Sequence, residues 1–95
     1  MDINYEKVPV HMREPVRGYV EDGGYIGDFL SALFSNNLAK TYGNADDTNK
    51  AALSDWVDFL YWEAPAPCWG SEELVAEWQA SGGLNGCLSR RSNHV

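Results

Sequence analysis

Histidine, cysteine and positive charge are scarce in this 95-residue chain. The 2 histidines, His11 and His94, are too far apart for metal-ligand spacing. The 2 cysteines, Cys68 and Cys87, are too few for a disulfide framework or a cysteine-built zinc site. Their separation permits a single bridge, but free thiols in a reducing compartment are the expectation. Lysine and arginine number 7 against 14 carboxylates, a net charge of −7. That balance argues against general binding to duplex DNA or RNA, which needs several cations at phosphates. It leaves room for a small anion held by two or three local cations. No apolar run approaches the ~18 residues of a membrane span, and Met1-Asp2-Ile3-Asn4 lacks the basic and apolar regions of a signal peptide. A cytoplasmic protein without membrane contact is expected. No nucleophile–base signature and no Gly-rich phosphate loop after a strand appears, so the expectation is a non-enzyme with no metal and no cofactor.

Aromatic side chains, by contrast, are abundant. The aromatic content is 13% and the apolar content 44%, enough for a folded core and too much for disorder. A short chain buries a smaller fraction of its surface than a long one, so 4 Trp and 5 Tyr exceed what a small core easily hides. Some of that surface is expected to meet a ligand or another copy of the chain, and a closed homo-oligomer is the prior.

The periodicity predicts an all-α fold, a compact and oligomeric bundle of about four short helices. Residues 1–9 read as an N-terminal arm, 10–83 as a single helical domain and 84–95 as a flexible tail. The first helix spans Val10 to Asp22, with Met12, Val16, Tyr19 and Val20 on one face. Pro15 fits only a first turn, which places a start near Arg13. Gly23-Gly24 ends it. The second helix runs from Phe29 to Tyr42, with Asp28 as N-cap and Gly43 beyond its end. The third is capped by Asp46 or Asp47 and carries the clearest stripe, Leu53, Trp56, Val57, Leu60, Tyr61 and Ala64. Phe59 and Trp62 lie off that stripe, which predicts a central helix or one at a subunit contact. Pro65 stops it, and Pro65-Ala66-Pro67 should be stiff and extended. Ser71 caps a fourth helix with Leu74, Val75 and Trp78 inward, and Gly82-Gly83 ends it.

Several residues could carry chemistry. Arg13 and Arg17 share a helix face, which is more often simply solvated. Asn36 and Asn37 sit inside the second helix, where asparagine is a weak helix former. They serve either to satisfy neighbouring backbone or to meet a ligand, and Lys40 follows Asn36 by one turn. The pairs Asp46-Asp47 and Glu72-Glu73 sit where a helix start favours negative charge. Cys68, with no basic neighbour in sequence, reads as a small buried side chain rather than a reactive thiol. Trp69-Gly70-Ser71 offers an aromatic plane followed by helix-N-terminal amides, a combination suited to a base and a phosphate. Local odds favour Trp69 as a plug against the core.

Several segments together resemble a widespread group of small phage proteins. They are Val8-Pro9-Val10-His11-Met12, Gly18-Tyr19-Val20-Glu21-Asp22-Gly23, Gly27 through Leu38, Ala45-Asp46-Asp47-Thr48-Asn49, Leu60-Tyr61-Trp62-Glu63-Ala64-Pro65 and Cys68-Trp69-Gly70-Ser71. The likeness spans about residues 8–83, and departs from the group at Pro15 and at Tyr25-Ile26, where a proline often stands. Within this group the chain resembles the phage anti-CBASS sponges. The resemblance implies a small helical hexamer in the host bacterial cytoplasm that binds cyclic di- and trinucleotides without cleaving them and so keeps CBASS effectors silent. It also implies that a Tyr and a Lys from adjoining protomers hold the nucleotide, here Tyr19 or Tyr25 with Lys40. With Arg17, Asn36, Asn37, Trp69, Gly70 and Ser71, these form the candidate ligand-binding set. The rival expectation is a small acidic module that masks another host defence protein.

Overall fold

In the computed structural model the first turn of the folded chain is set by a proline. The structure describes residues 3–92. Met1, Asp2 and 93–95, His94 among them, lie outside the described residues, as do the side chains of 88–92, including Arg90 and Arg91. A 3-10 turn at Val10–Met12 leads into α1, Arg13–Asp22. Pro15 is the third residue of α1, where a helix has no internal partner for the missing N–H. Val16, Tyr19 and Val20 are buried on its inner face, and the backbone at Gly23 turns left-handed (φ 69°) to end it.

The arm is part of the core. Tyr5 and Val8 are buried, the Tyr5 hydroxyl donates to Glu21 Oε2 at 2.8 Å, and Arg13 Nε donates to the Val8 carbonyl at 2.9 Å. These contacts fold residues 3–9 back along α1.

The expected second helix is two helices. Helix α2 covers Asp28–Phe34 and α3 covers Leu38–Asn44. Asn36 adopts φ 61°, Asn37 N donates to Ala32 O at 2.9 Å, and Asn36 N to Leu33 O at 3.1 Å. This left-handed exit satisfies the last carbonyls of α2, with asparagine in the place glycine usually takes. Asn37 then caps α3, its side chain accepting from Lys40 N. Gly43 lies inside α3, and the N-cap of α2 is Gly27, with Asp28 its first residue. Helix α2 buries Phe29, Leu30, Ala32, Leu33 and Phe34, so it is the central helix of the fold.

The expected third helix is also divided, into α4 (Asp47–Ala51), α5 (Leu53–Asp58) and a π-helical turn at Phe59–Glu63. Asp46 is the cap, accepting from Asn49 N at 2.7 Å. The wider turn closes with Ala64 N donating to Phe59 O at 2.9 Å, just before Pro65. The buried side differs from the expected stripe. Trp56, Phe59 and Leu60 face the core, while Val57 is 53% and Tyr61 68% exposed. Residues 66–68 form a 3-10 turn, so only Pro65 is extended.

Helix α6 spans Glu72–Ser81, with Ser71 as cap and Val75 and Trp78 inward. Gly82 ends it, and α7, Gly83–Ser92, follows where the sequence predicts a tail. Helix α7 packs on α1. The approach is tight enough that a Cβ on Gly83 (φ 68°) would stand 2.5 Å from Gly23 N, so backbone meets backbone there. The core is joined by aromatic pairs, Tyr19–Phe34 at 4.7 Å, Phe29–Trp56 at 5.4 Å and Tyr5–Phe59 at 5.6 Å between centroids. Each such buried ring contributes roughly 1.5–3 kcal/mol. The described residues form an all-helical fold with seven α-helices, and none is long and apolar enough to cross a membrane.

Candidate functional site

Breaking the second helix at Ser35–Asn37 folds α3 back beside α2 and opens a groove between them. The start of α6 closes one side. The groove has a volume of about 280 Å³ and is lined mainly by polar side chains, including Ser31, Ser35, Asn37, Lys40 and Asn44, with the carboxylates of Asp28 and Glu72. Ser31 and Ser35 are one turn apart on α2, and Lys40 and Asn44 are one turn apart on α3, so each helix offers a short polar ridge.

Hydrogen bonds hold these ridges in place. Asn37 Oδ1 accepts from Lys40 N at 3.1 Å. The Thr41 hydroxyl donates to the Asn37 carbonyl at 2.6 Å, and Asn44 Nδ2 donates to the Lys40 carbonyl at 2.8 Å. The Lys40 side chain is exposed and makes no ion pair among the described residues.

The corner at 69–71 is fixed to the end of α2. Gly70 N donates to Phe34 O at 2.8 Å. Its φ of 129° suits glycine alone, and an added Cβ would press to 3.1 Å on Leu74. The Ser71 hydroxyl accepts from Leu74 N at 3.1 Å, so it serves as the helix cap. Trp69 is half-buried and packs on the core, as the local reading favours. The corner therefore places Glu72, at the start of α6, on the groove, while Gly70 N and the Ser71 hydroxyl are engaged in the fold.

Of the predicted site residues, the structure brings Asn37 and Lys40 together at the groove. Asn36 lines the opposite side of the turn, in a narrow apolar cleft of about 70 Å³ with Leu38, Leu53 and Val57. Arg17 lies on α1, 3.8 Å from Glu21 and 5.1 Å above the Tyr5 ring. Tyr25 is 88% exposed between α1 and α2. Tyr19 is a correction. It is wholly buried, with its hydroxyl donating to the Cys68 carbonyl at 2.5 Å, so neither ring face meets solvent. Burial raises its pKa above the ordinary tyrosine value, with Cys68 adding to the shift. Burial also pushes the Cys68 thiol up to about 12, which keeps it neutral and unreactive.

Ser31, Ser35 and Asn44 escape the sequence reading, which takes Asp28 and Glu72 only as helix-start residues. The i, i+4 spacing of Ser31 with Ser35 and of Lys40 with Asn44 is the available signal, but it becomes a site only once the chain reverses at Asn36. Among the described residues no cluster of His, Cys, Asp and Glu has the arrangement to hold a metal ion. Compared with protein families, curated proteins and solved structures, the chain matches none.

Proposed function

We propose that this chain is a phage anti-defence protein that binds cyclic di- and trinucleotides in the groove around Lys40 and sequesters them, uncleaved, from CBASS effectors in the host cytoplasm. The observation that carries the reading is the composition of the groove. It combines one ammonium, two hydroxyls and two side-chain amides with two carboxylates at its rim. Lys40 meets a phosphate as a point charge. Hydroxyls and amides meet ribose and phosphate oxygens, and Asp28 and Glu72 accept N–H groups from base edges. A chain with net charge −7 tolerates this role because a cyclic dinucleotide carries few phosphates.

The groove of one copy is shallow for such a ligand. Its volume of about 280 Å³ lies just below the range of small-molecule sites, which run from about 300 to 1,000 Å³. A second protomer completes the site in this reading. Leu38 (72% exposed) and Tyr42 (55%) on α3 flank Lys40 and offer it a contact surface. Tyr25, whose ring is free, is the tyrosine suited to stack on a base. The closed assembly is a hexamer, on the resemblance already described.

Isothermal titration of the assembled protein with a panel of cyclic di- and trinucleotides tests the reading, with the native mass measured alongside. Saturable heat with at least one member, and unchanged ligand mass after incubation, are expected. No heat with any member, in a protein shown to be oligomeric, overturns it and leaves the acidic interaction module.

A further inference from the structure

The π-helical turn at Phe59–Glu63 does more than end α5. It adds a residue to the last turn, and it buries Phe59 and Leu60 while leaving Tyr61 and Trp62 68% and 73% exposed. The two rings meet edge to face, with centroids 4.7 Å apart. Two large aromatics held rigidly at the surface against a core helix are costly to leave wet, and such turns recur at functional positions.

Beside Trp62 lies a cavity of about 290 Å³, lined by Lys7, Asp58, Trp62 and Glu63. It shares no lining residue with the groove around Lys40. The Lys7 ammonium is held 3.5 Å from Asp58 and 3.7 Å from Asp55. Glu63 Oε1 accepts from Asn4 N at 3.3 Å, which ties the carboxylate in place. Lys7 is thus shared by Asp55 and Asp58, Glu63 adds a further carboxylate to the cavity wall, and the surface is net negative around an exposed indole.

That combination selects against a phosphate and for a cation. A guanidinium suits it better than a compact ammonium. It is planar, stacks on an aromatic face and forks onto a carboxylate. The Tyr61 ring extends the apolar surface beyond the cavity, which suits a chain segment rather than a lone amine. The net charge of −7 draws a basic partner from a distance. We propose that the Trp62 surface docks an arginine-bearing segment of a partner protein, with the guanidinium over the Trp62 indole and paired to Asp58 or Glu63. The nucleotide reading is independent of this.

The test is a 15N-NMR titration with a ten-residue Gly/Ser peptide carrying two arginines. The indole N–H signal of Trp62 and the backbone amide signals of Lys7, Asp58 and Glu63 are the reporters, the amides serving in Trp62→Ala, and the indole signals of buried Trp56 and Trp78 are internal controls. A saturating shift at Trp62 is expected. Affinity should fall at least about fivefold with Trp62→Ala, with Asp58→Asn combined with Glu63→Gln, and with a peptide carrying citrulline for arginine. Circular dichroism checks that the variants fold. No saturating shift up to millimolar peptide, or equal affinity in Trp62→Ala, overturns the proposal. Displacement of the peptide by equimolar spermine assigns the surface to a free polyamine and overturns it too. A drop in native mass with Trp62→Ala assigns it to a second copy, with the same consequence.

Discussion

The Tyr19 hydroxyl donates a 2.5 Å hydrogen bond to the carbonyl of Cys68, 49 residues further along the chain. Both residues are wholly buried, and the bond joins α1 to the turn that follows Pro65. Trp78 adds a second tie at the same level, its Nε1 donating to the Tyr19 and Val20 carbonyls at 3.1 and 3.2 Å. The end of α1 is thus held from two sides by polar groups set in an apolar core.

Replacing Tyr19 by Phe keeps the ring against Phe34 and removes only the hydroxyl. The Cys68 carbonyl is then buried without that partner, which costs about 1–3 kcal/mol. Urea unfolding monitored by tryptophan fluorescence should show that loss, while nucleotide affinity stays unchanged. A loss of affinity with intact stability would return Tyr19 to the ligand site.

Asn36 is the one non-glycine residue with positive φ in the described chain, at 61°. Asn36→Gly is expected to be neutral or slightly stabilising, because glycine reaches this region freely. Asn36→Ala should cost up to about 1 kcal/mol, since alanine keeps the Cβ that disfavours the left-handed region and lacks the short polar side chain that eases asparagine into it. The pair of melting curves separates backbone geometry from side-chain chemistry. Equal stability of the two variants would show that the turn relaxes to another conformation.

Lys40 is exposed, and only its backbone is bound into the α3 cap. Lys40→Ala should therefore leave the melting temperature within about 0.5 kcal/mol of equivalent stability. In the proposed site it removes the cation facing phosphate, and affinity for the cyclic nucleotide should fall roughly tenfold or more. Calorimetry on the variant decides this, and unchanged affinity removes Lys40 from the site.

Stability should fall in alkali. Burial raises the Cys68 thiol from 9.0 to about 12, and raises Tyr5 and Tyr19 from the ordinary 10.0. For Tyr5 the hydrogen bond to Glu21 adds to the effect of burial. These groups stay protonated in the folded chain when the unfolded chain has already released its protons. The native state then binds more protons, and the slope of stability against pH is negative. The stabilisation is fully present below pH 9.0 and is lost as pH rises toward about 12. Thermal melts at pH 8 and pH 10.5 should differ, with the lower midpoint at pH 10.5. Equal midpoints would mean that these groups ionise alike in both states.

Much of the helical layout is legible in residue types alone. Pro15 marks a first turn, Asp46 and Ser71 mark caps, Gly23 and Gly82 mark ends, and Pro65 marks a stop. Each acts through its own backbone or through a bond three residues away, so the signal is local. The breaks at Asn36 and Ala52 are less visible, because asparagine and alanine are both compatible with a continuing helix at modest cost. Likewise α7 begins at the second residue of a Gly-Gly pair and has a weak apolar pattern, and its place is set by packing on α1.

The candidate site divides in the same way. Lys40 and Asn37 are both candidates in the sequence, but helical spacing pairs Lys40 with Asn36, and it is the cap of α3 that brings Asn37 to Lys40. The serines of α2 join them only through the reversal at Asn36, a non-local consequence of one left-handed residue. The sequence by itself determined an acidic, all-helical chain, its aromatic excess and most of its helix ends, because those depend on composition and on short-range hydrogen bonding. Only the tertiary structure decided which aromatics the core takes. Phe59, off the predicted stripe, went inside and Tyr61, on it, stayed outside, because a π-helical turn shifts the register of the last helical residues and no periodicity in the sequence records that shift.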